Sequence, residues 1–279
     1  MTTVTPRAAT LEVPGATLHH EIRGTGPLLL MLPGGGGDAA VFDGMADLLA
    51  AEYTVVTVDP RGYSRSTLDG PREEHRVQTQ SDDAYRLLQA LSPDAPARVF
   101  ASSAGAVVAL DLLARHPERL HRVVAHEPPS FALLPDAAEQ RAFTEEVREL
   151  LRTKGHGPAV TRYLQGLGGT LGPLPDPAEL PPRTADMMAR LMANNPLFME
   201  YELVPFTSYV PDLAALREAA PRLVLAAGLG SRGRLPYRPA ALMAERLGLE
   251  LREFPGGHSG YTDEPEAFGE LLLRTLRTD

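Results

Sequence analysis

The chain has 279 residues, 43% of them hydrophobic and 23% charged, with a formal net charge of −9 and no cysteine. That suffices for one sizeable α/β core with an insertion, and it excludes wholesale disorder. The acidic balance excludes a nucleic-acid backbone as partner, which needs clustered Lys and Arg, and the missing thiols exclude disulfides, thiolate catalysis and cysteine-held metals.

The N-terminal MTTVTPRAATLEV lacks a basic region followed by an apolar stretch, so it does not read as a signal peptide. No apolar run approaches the roughly 18 residues that suggest a membrane span, and a soluble cytoplasmic protein is expected. TLEVPGATLHHEIRG reads as a hairpin turning at Pro14-Gly15. LLLML (28–32) and YTVVTV (53–58) are short apolar runs typical of strands covered on both faces. Residues 39–51 between them carry Val41, Met45, Leu48 and Leu49 at helical spacing. SDDAYRLLQAL predicts a helix with Ser81 as N-cap.

ARVFA, AGAVVALDLLARH and HRVVAH follow as strand, helix and strand, and much later RLVLAA, PAALMAERLG and LELREF repeat the rhythm. A last helix is expected over 263–277. Alternating elements of this kind imply a mostly parallel sheet with helices on both faces. Between about 130 and 210 the rhythm changes. AAEQRAFTEEVRELLRT and RTADMMARLMANN read as helices separated by the Pro- and Gly-rich LGGTLGPLPDPAELPP, with no convincing strand. The reading is a helical insertion over the C-terminal edge of the sheet, where open α/β folds bind ligands; a packing subdomain without a site is the alternative.

FASSAGAVVAL (100–110) carries the chemistry. A nucleophile elbow turns sharply from strand to helix and needs small residues two positions either side of the nucleophile. Ser103 is flanked in this way by Ala101 and Gly105, whereas Ser102 would put Phe100 at one of those positions. Ser103 is therefore the candidate nucleophile, against the alternative of an inert strand-to-helix turn. After LLLML comes Pro33-Gly34-Gly35-Gly36-Gly37, whose glycines let backbone N–H groups approach a substrate. The oxyanion donors are assigned to the N–H groups of Ala104 and Gly35. A phosphate loop would need the GK[ST] ending that is missing here.

His258, in FPGGHSGYTDEP between the last strand and the last helix, is the candidate base, with a solvated loop histidine as the alternative. The acid departs from the common pattern. After RLVLAA the chain reads Gly228-Leu229-Gly230-Ser231-Arg232-Gly233, without a carboxylate, but Glu127 in VVAHEPPS ends another strand. Glu127 is the assigned acid, with Asp263 as fallback, and the neighbouring His126 is read as structural.

Together these residues resemble the α/β-hydrolase superfamily, with DPRGYSRS (59–66) similar to its turn after the fourth strand and FPGGHSGYTDEPEAF to its histidine loop. The resemblance implies an α/β-hydrolase fold: a mostly parallel eight-stranded sheet, a core of residues 1–130 and 211–279, and a helical lid of residues 131–210. Within the superfamily the chain resembles the zearalenone lactonases in Ser102-Ser103, His126-Glu127-Pro128-Pro129 and Pro255-Gly256-Gly257-His258. In that family the acid is the glutamate of this strand. The family also carries a tryptophan after an Asn-x-Pro-aliphatic stretch; here Asn194-Asn195-Pro196-Leu197-Phe198 offers phenylalanine instead.

The expected activity is a serine hydrolase acting on a carboxylic ester, a lactone foremost, through Ser103, Glu127 and His258. A general carboxylesterase and a non-catalytic binding protein on the same fold stand as alternatives. Gly34, Ser102, Pro129, Met188, Met192, Leu197 and Phe198 are assigned to substrate contact; for the four lid residues among them ordinary helix core is the rival reading. No cofactor or metal is expected, and a homodimer is compatible with the sequence. Gly228, Gly230 and Gly233 also spell GxGxxG with Glu253 20 residues beyond the third, but Pro236 and Pro239 delay the helix that a pyrophosphate would need.

Overall fold

The computed structural model describes residues 5–169 and 177–277. Pro14-Gly15 turns the chain from β1 (Arg7–Val13) into β2 (Ala16–Arg23), with Gly15 at φ +79° and Val13 paired to Ala16. There follow β3 (Leu28–Leu32), α1 (Asp43–Leu49), β4 (Thr54–Val58), the short β5 (Thr67–Leu68), α2 (Val77–Leu91), β6 (Ala97–Ser102), α3 (Ala104–Arg115) and β7 (Leu120–His126). After the insertion come α8 (Leu213–Glu218), β8 (Leu223–Gly228), α9 (Tyr237–Leu247), β9 (Arg252–Phe254), α10 (Gly260–Asp263) and α11 (Pro265–Arg277).

Eight strands run in the order β1-β2-β4-β3-β6-β7-β8-β9, with β5 pairing onto β2 as a ninth. Pairings from β4 onward are parallel, and those of β2 with β1, β4 and β5 are antiparallel. Because strand side chains alternate, each strand feeds two cores. Leu28, Leu30 and Leu32 join α2, α3 and α9, whereas Leu29 and Met31 join Met45 of α1 and Phe268 and Leu272 of α11. This burial on both faces is why the strands read as unbroken apolar runs rather than alternating ones.

Between β7 and β8 lie α4 (Ala137–Lys154), α5 (His156–Gly166), α6 (Pro182–Tyr201) and α7 (Leu203–Thr207). They enclose a core of their own that includes Phe143, Val147, Phe198, Met199 and Leu203. Part of the Pro- and Gly-rich stretch, residues 170–176, lies outside the described residues.

Four local readings need correction. Ser81 is not an N-cap: α2 begins at Val77, so Ser81 is buried within it. The segment after residue 38 is first a 3₁₀ turn, Ala39–Phe42, capped by the Asp38 side chain on the Ala40 N–H, and only then α1. Asp263 ends α10 instead of opening the last helix, which starts at Pro265, a residue suited to a first turn where no N–H is required. α6 does not stop at Asn195 but continues through Pro196 to Tyr201, its C-terminal turns buried through Phe198 and Met199.

Candidate active site

Ser103 sits between β6 and α3 with φ 52° and ψ −123°, a conformation that a residue with a Cβ adopts only at a cost of about 1–3 kcal/mol. The surroundings hold it there. Its N–H donates to the His126 carbonyl at 2.9 Å, and its own carbonyl accepts from Ala106 at 2.9 Å and Val107 at 3.3 Å. The small flanks are needed because the helix start presses on the glycine loop: a Cβ at Gly105 would lie 2.6 Å from the Leu32 carbonyl oxygen. On the other side Ala101 is wholly buried. A Cβ at Gly34 would come 3.2 Å from that of Ser103, so the glycine loop lies against the serine.

Glu127 is the neighbouring strand's counterpart. Ser102 and His126 are paired in register between β6 and β7, and the residue after each, Ser103 and Glu127, has positive φ (52° and 47°). The Glu127 N–H donates to Ala226, extending the contact with β8, and the carboxylate is fully buried. Its Oε1 accepts from the Gly228 N–H at 2.8 Å, and its Oε2 lies 2.6 Å from His258 Nδ1. Burial alone would push the carboxyl up; the hydrogen bond and charge of His258, with the Gly228 amide, more than offset it and hold Glu127 below the usual carboxylate range.

His126 faces the opposite way, as its place beside Glu127 on a strand dictates. Its ring packs edge-on against Phe268 and Phe254, with centroids 5.3 and 6.2 Å away, and Nδ1 lies 3.3 Å from Ser102 Oγ. Desolvation lowers its pKa to about 4, so it is neutral at physiological pH. Ser102 is likewise wholly buried, and its hydroxyl is turned to His126 beneath the elbow. It therefore forms no part of the cavity wall, contrary to its assignment to substrate contact.

One cavity brings together Ser103, Ala104, Glu127, Pro129, Phe198 and His258. Its remaining walls are Phe131, Tyr163, Leu167, Leu203, Phe206, Thr207 and Pro236, a lining almost without charge. The other lid candidates lie elsewhere. Met188 packs toward the α1 and α11 core, Met192 is 54% exposed, and Leu197 packs within the insertion's own core. For Met188 and Leu197 the rival reading, helix core, describes their surroundings. Tyr163 and Leu167 lie on or just after α5, Leu203, Phe206 and Thr207 on α7, and Phe131 just after Pro129. Nothing in their local sequence marks them, because only the mutual packing of the helices turns them inward.

The GxGxxG run has a different use. A Cβ at Gly228 would fall 2.5 Å from the Gly257 carbonyl oxygen, and the Gly230 N–H donates to Gly256 at 2.7 Å. These glycines let the histidine loop lie directly on the end of β8. The next helix, α9, begins only at Tyr237, so no helix N-terminus meets this loop. Glu253 is paired with Arg232 and Tyr237. Among the described residues no helix is long and apolar enough to cross a membrane.

Compared with known proteins, residues 27–217 match the family model for the alpha/beta hydrolase fold. The chain belongs to this family. The α/β hydrolase is 42% identical over 275 residues to the uncharacterized hydrolase YraK of Bacillus subtilis (strain 168), covering 97% of this chain and 96% of that one. It is 26% identical over 275 residues to the zearalenone hydrolase of Bionectria ochroleuca, covering 96% of this chain and 97% of that one. Among solved structures it is similar to the enol-lactonase of Burkholderia xenovorans LB400, with TM-score 0.70 and 17% identity, covering 97% of this chain and all of that one. A thermophilic esterase from Thermogutta terrifontis superposes with TM-score 0.73 at 19% identity, covering 98% of this chain and all of the other. This α/β hydrolase thus shares its fold along nearly its whole length with enzymes named for ester and lactone cleavage.

Proposed function

We propose that this hydrolase cleaves a neutral, apolar carboxylic ester, a lactone foremost, through an acyl-enzyme on Ser103. The observation that carries the reading is the 2.6 Å contact between Glu127 Oε2 and His258 Nδ1, in the same cavity as a serine held at positive φ. Glu127 holds the imidazole with Nδ1 protonated, leaving Nε2 to take the Ser103 proton as Oγ attacks the carbonyl. The Gly35 and Ala104 N–H groups hold the oxyanion. His258 then returns its proton to the leaving alkoxide, and water, deprotonated by the same imidazole, releases the acid. For a lactone the alkoxide and the acid belong to one molecule, and the product is a hydroxy acid.

The aromatic and aliphatic walls support a substrate without charge, because the ionisable pair on the cavity wall, Glu127 and His258, is already matched within itself and the rest of the lining offers an ion no counter-charge. The zearalenone hydrolases support a macrolactone. A general carboxylesterase for another apolar ester is the second reading, favoured by Phe198 standing where the resemblance places a tryptophan. A panel of aryl esters and macrolactones, zearalenone included, assayed with wild type and Ser103→Ala, tests both. Turnover by wild type and none by the folded Ser103→Ala variant is expected, and the preferred substrate separates lactonase from esterase. Hydrolysis that survives Ser103→Ala overturns the mechanism; no turnover of any ester leaves a binding protein.

A further inference from the structure

We infer that Asn194, on α6 of the insertion, positions the Gly35 N–H that serves as oxyanion donor; the inference rests on the acyl-enzyme reading above. Asn194 is almost fully buried, and both of its amide protons and its oxygen are engaged. Nδ2 donates to the Gly36 carbonyl at 3.0 Å and to Ser64 Oγ at 2.8 Å, while Oδ1 accepts from the Ser64 N–H at 3.0 Å. One side chain therefore bridges α6, the glycine loop and the loop after β4, where Ser64 is itself held at φ 48°.

The path from this amide to the oxyanion runs through two peptide planes. In a trans peptide the C=O and the following N–H point in opposite directions. Asn194 fixes the Gly36 C=O, and with it the plane that carries the Gly37 N–H. That N–H donates to the Gly34 carbonyl at 2.9 Å, closing a tight turn with Gly36 at φ +70°, the sign a type II turn requires at its third position. The Gly34 C=O is thereby fixed in turn, and the Gly35 N–H of the same plane is aimed to the opposite side. Two further contacts from α6 hold the loop from outside. Arg190 Nε donates at 2.6 Å to Asp38 Oδ2, just past the loop, and the Phe198 ring covers the place where a Gly35 side chain would stand. The helix is a strut for the oxyanion site as well as a wall of the cavity.

The test is the split between kcat and KM in Asn194→Ala and in Asn194→Asp, whose carboxylate still accepts from Ser64 but cannot donate to Gly36. Misplacing an oxyanion donor is expected to lower kcat by about 10²-fold while KM stays near wild type. Inhibition by an apolar boronic acid, which forms a tetrahedral adduct on the serine, is expected to weaken in proportion to the lost kcat/KM. In a Ser103→Ala background the uncleaved ester is expected to bind with unchanged affinity. Wild-type kcat in a folded variant, or kcat lost together with ester binding, overturns the inference. Should both variants fail to fold, Ser64→Ala, which frees one amide proton of Asn194, decides on the same split. If Ser103→Ala itself turns over ester, the acyl-enzyme reading fails; if only the Asn194 variants behave as wild type, the positioning role alone fails.

Discussion

Replacing Glu127 by Gln keeps the shape of the buried acid and changes one hydrogen-bond role. The carboxylate accepts on both sides, from the Gly228 N–H at 2.8 Å and from His258 Nδ1 at 2.6 Å. An amide can accept on only one. If its oxygen stays toward Gly228, its NH₂ meets Nδ1, and the imidazole can answer only by moving its proton to Nε2, which removes the lone pair that takes the serine proton. If it flips, two buried donors face each other at Gly228, at about 1–3 kcal/mol. The first arrangement is the cheaper, and a wrong tautomer lowers kcat by about 10⁴, equivalent to about 5 kcal/mol of transition-state stabilisation. The assay is steady-state hydrolysis of an aryl ester at neutral pH, with the thermal transition measured alongside. Asp263→Asn serves as the control, since Asp263 is exposed at the end of α10, and it is expected to turn over like wild type. A folded Glu127→Gln enzyme that retains more than about a tenth of wild-type kcat, or a larger loss in Asp263→Asn, refutes the assignment of the acid.

Gly35→Ala places a Cβ within the Phe198 ring, so ring or loop must move; kcat is expected to fall about 10²–10³-fold, with partial recovery when Phe198→Ala is added, both read by steady-state kinetics. His126, buried neutral, gives a pH dependence of stability. Its folded-state pKa of about 4 lies below the value of about 6.5 expected when unfolded, so its contribution is complete above pH 6.5 and is lost as pH falls toward 4. Denaturant unfolding at a series of pH values is expected to show that decline, on the order of 3 kcal/mol, in wild type and a flatter profile in His126→Gln; identical profiles would refute it.

Much of the architecture is legible in the residues themselves. Apolar runs such as LLLML and TVVTV announce strands buried on both faces, and Pro14-Gly15 announces the hairpin, because the physics involved is local. Ser103 stands out for a similar reason: strand and helix touch there, and the small flanks at 101 and 105 record it. Glu127 stands out as the candidate acid by default, since residues 228–233 at the end of β8 offer no carboxylate where one is usual. The cavity wall was another matter. Met188, Met192 and Leu197 have the right helical spacing, but which face of α6 turns to the site depends on α4, α5 and α7, whose packing no local pattern encodes. Ser102, assigned to substrate contact, is instead turned by its strand position down to His126. The helix expected to be capped by Ser81 begins at Val77 with Ser81 buried inside it, and the one expected from 263 begins at Pro265, because burial and the fixed backbone of proline outweigh local polar chemistry.

The bare end of β8 constrains how such a site can change. With no Cβ at Gly228, two stretches of main chain meet there, and the histidine loop settles into the groove that a side chain would fill. Any carboxylate introduced at 228 would displace the segment bearing the imidazole it was meant to hold. Moving the charge from the end of β7 to residue 228 is therefore not a one-residue step in this molecule: the loop that carries His258 would have to be rebuilt first.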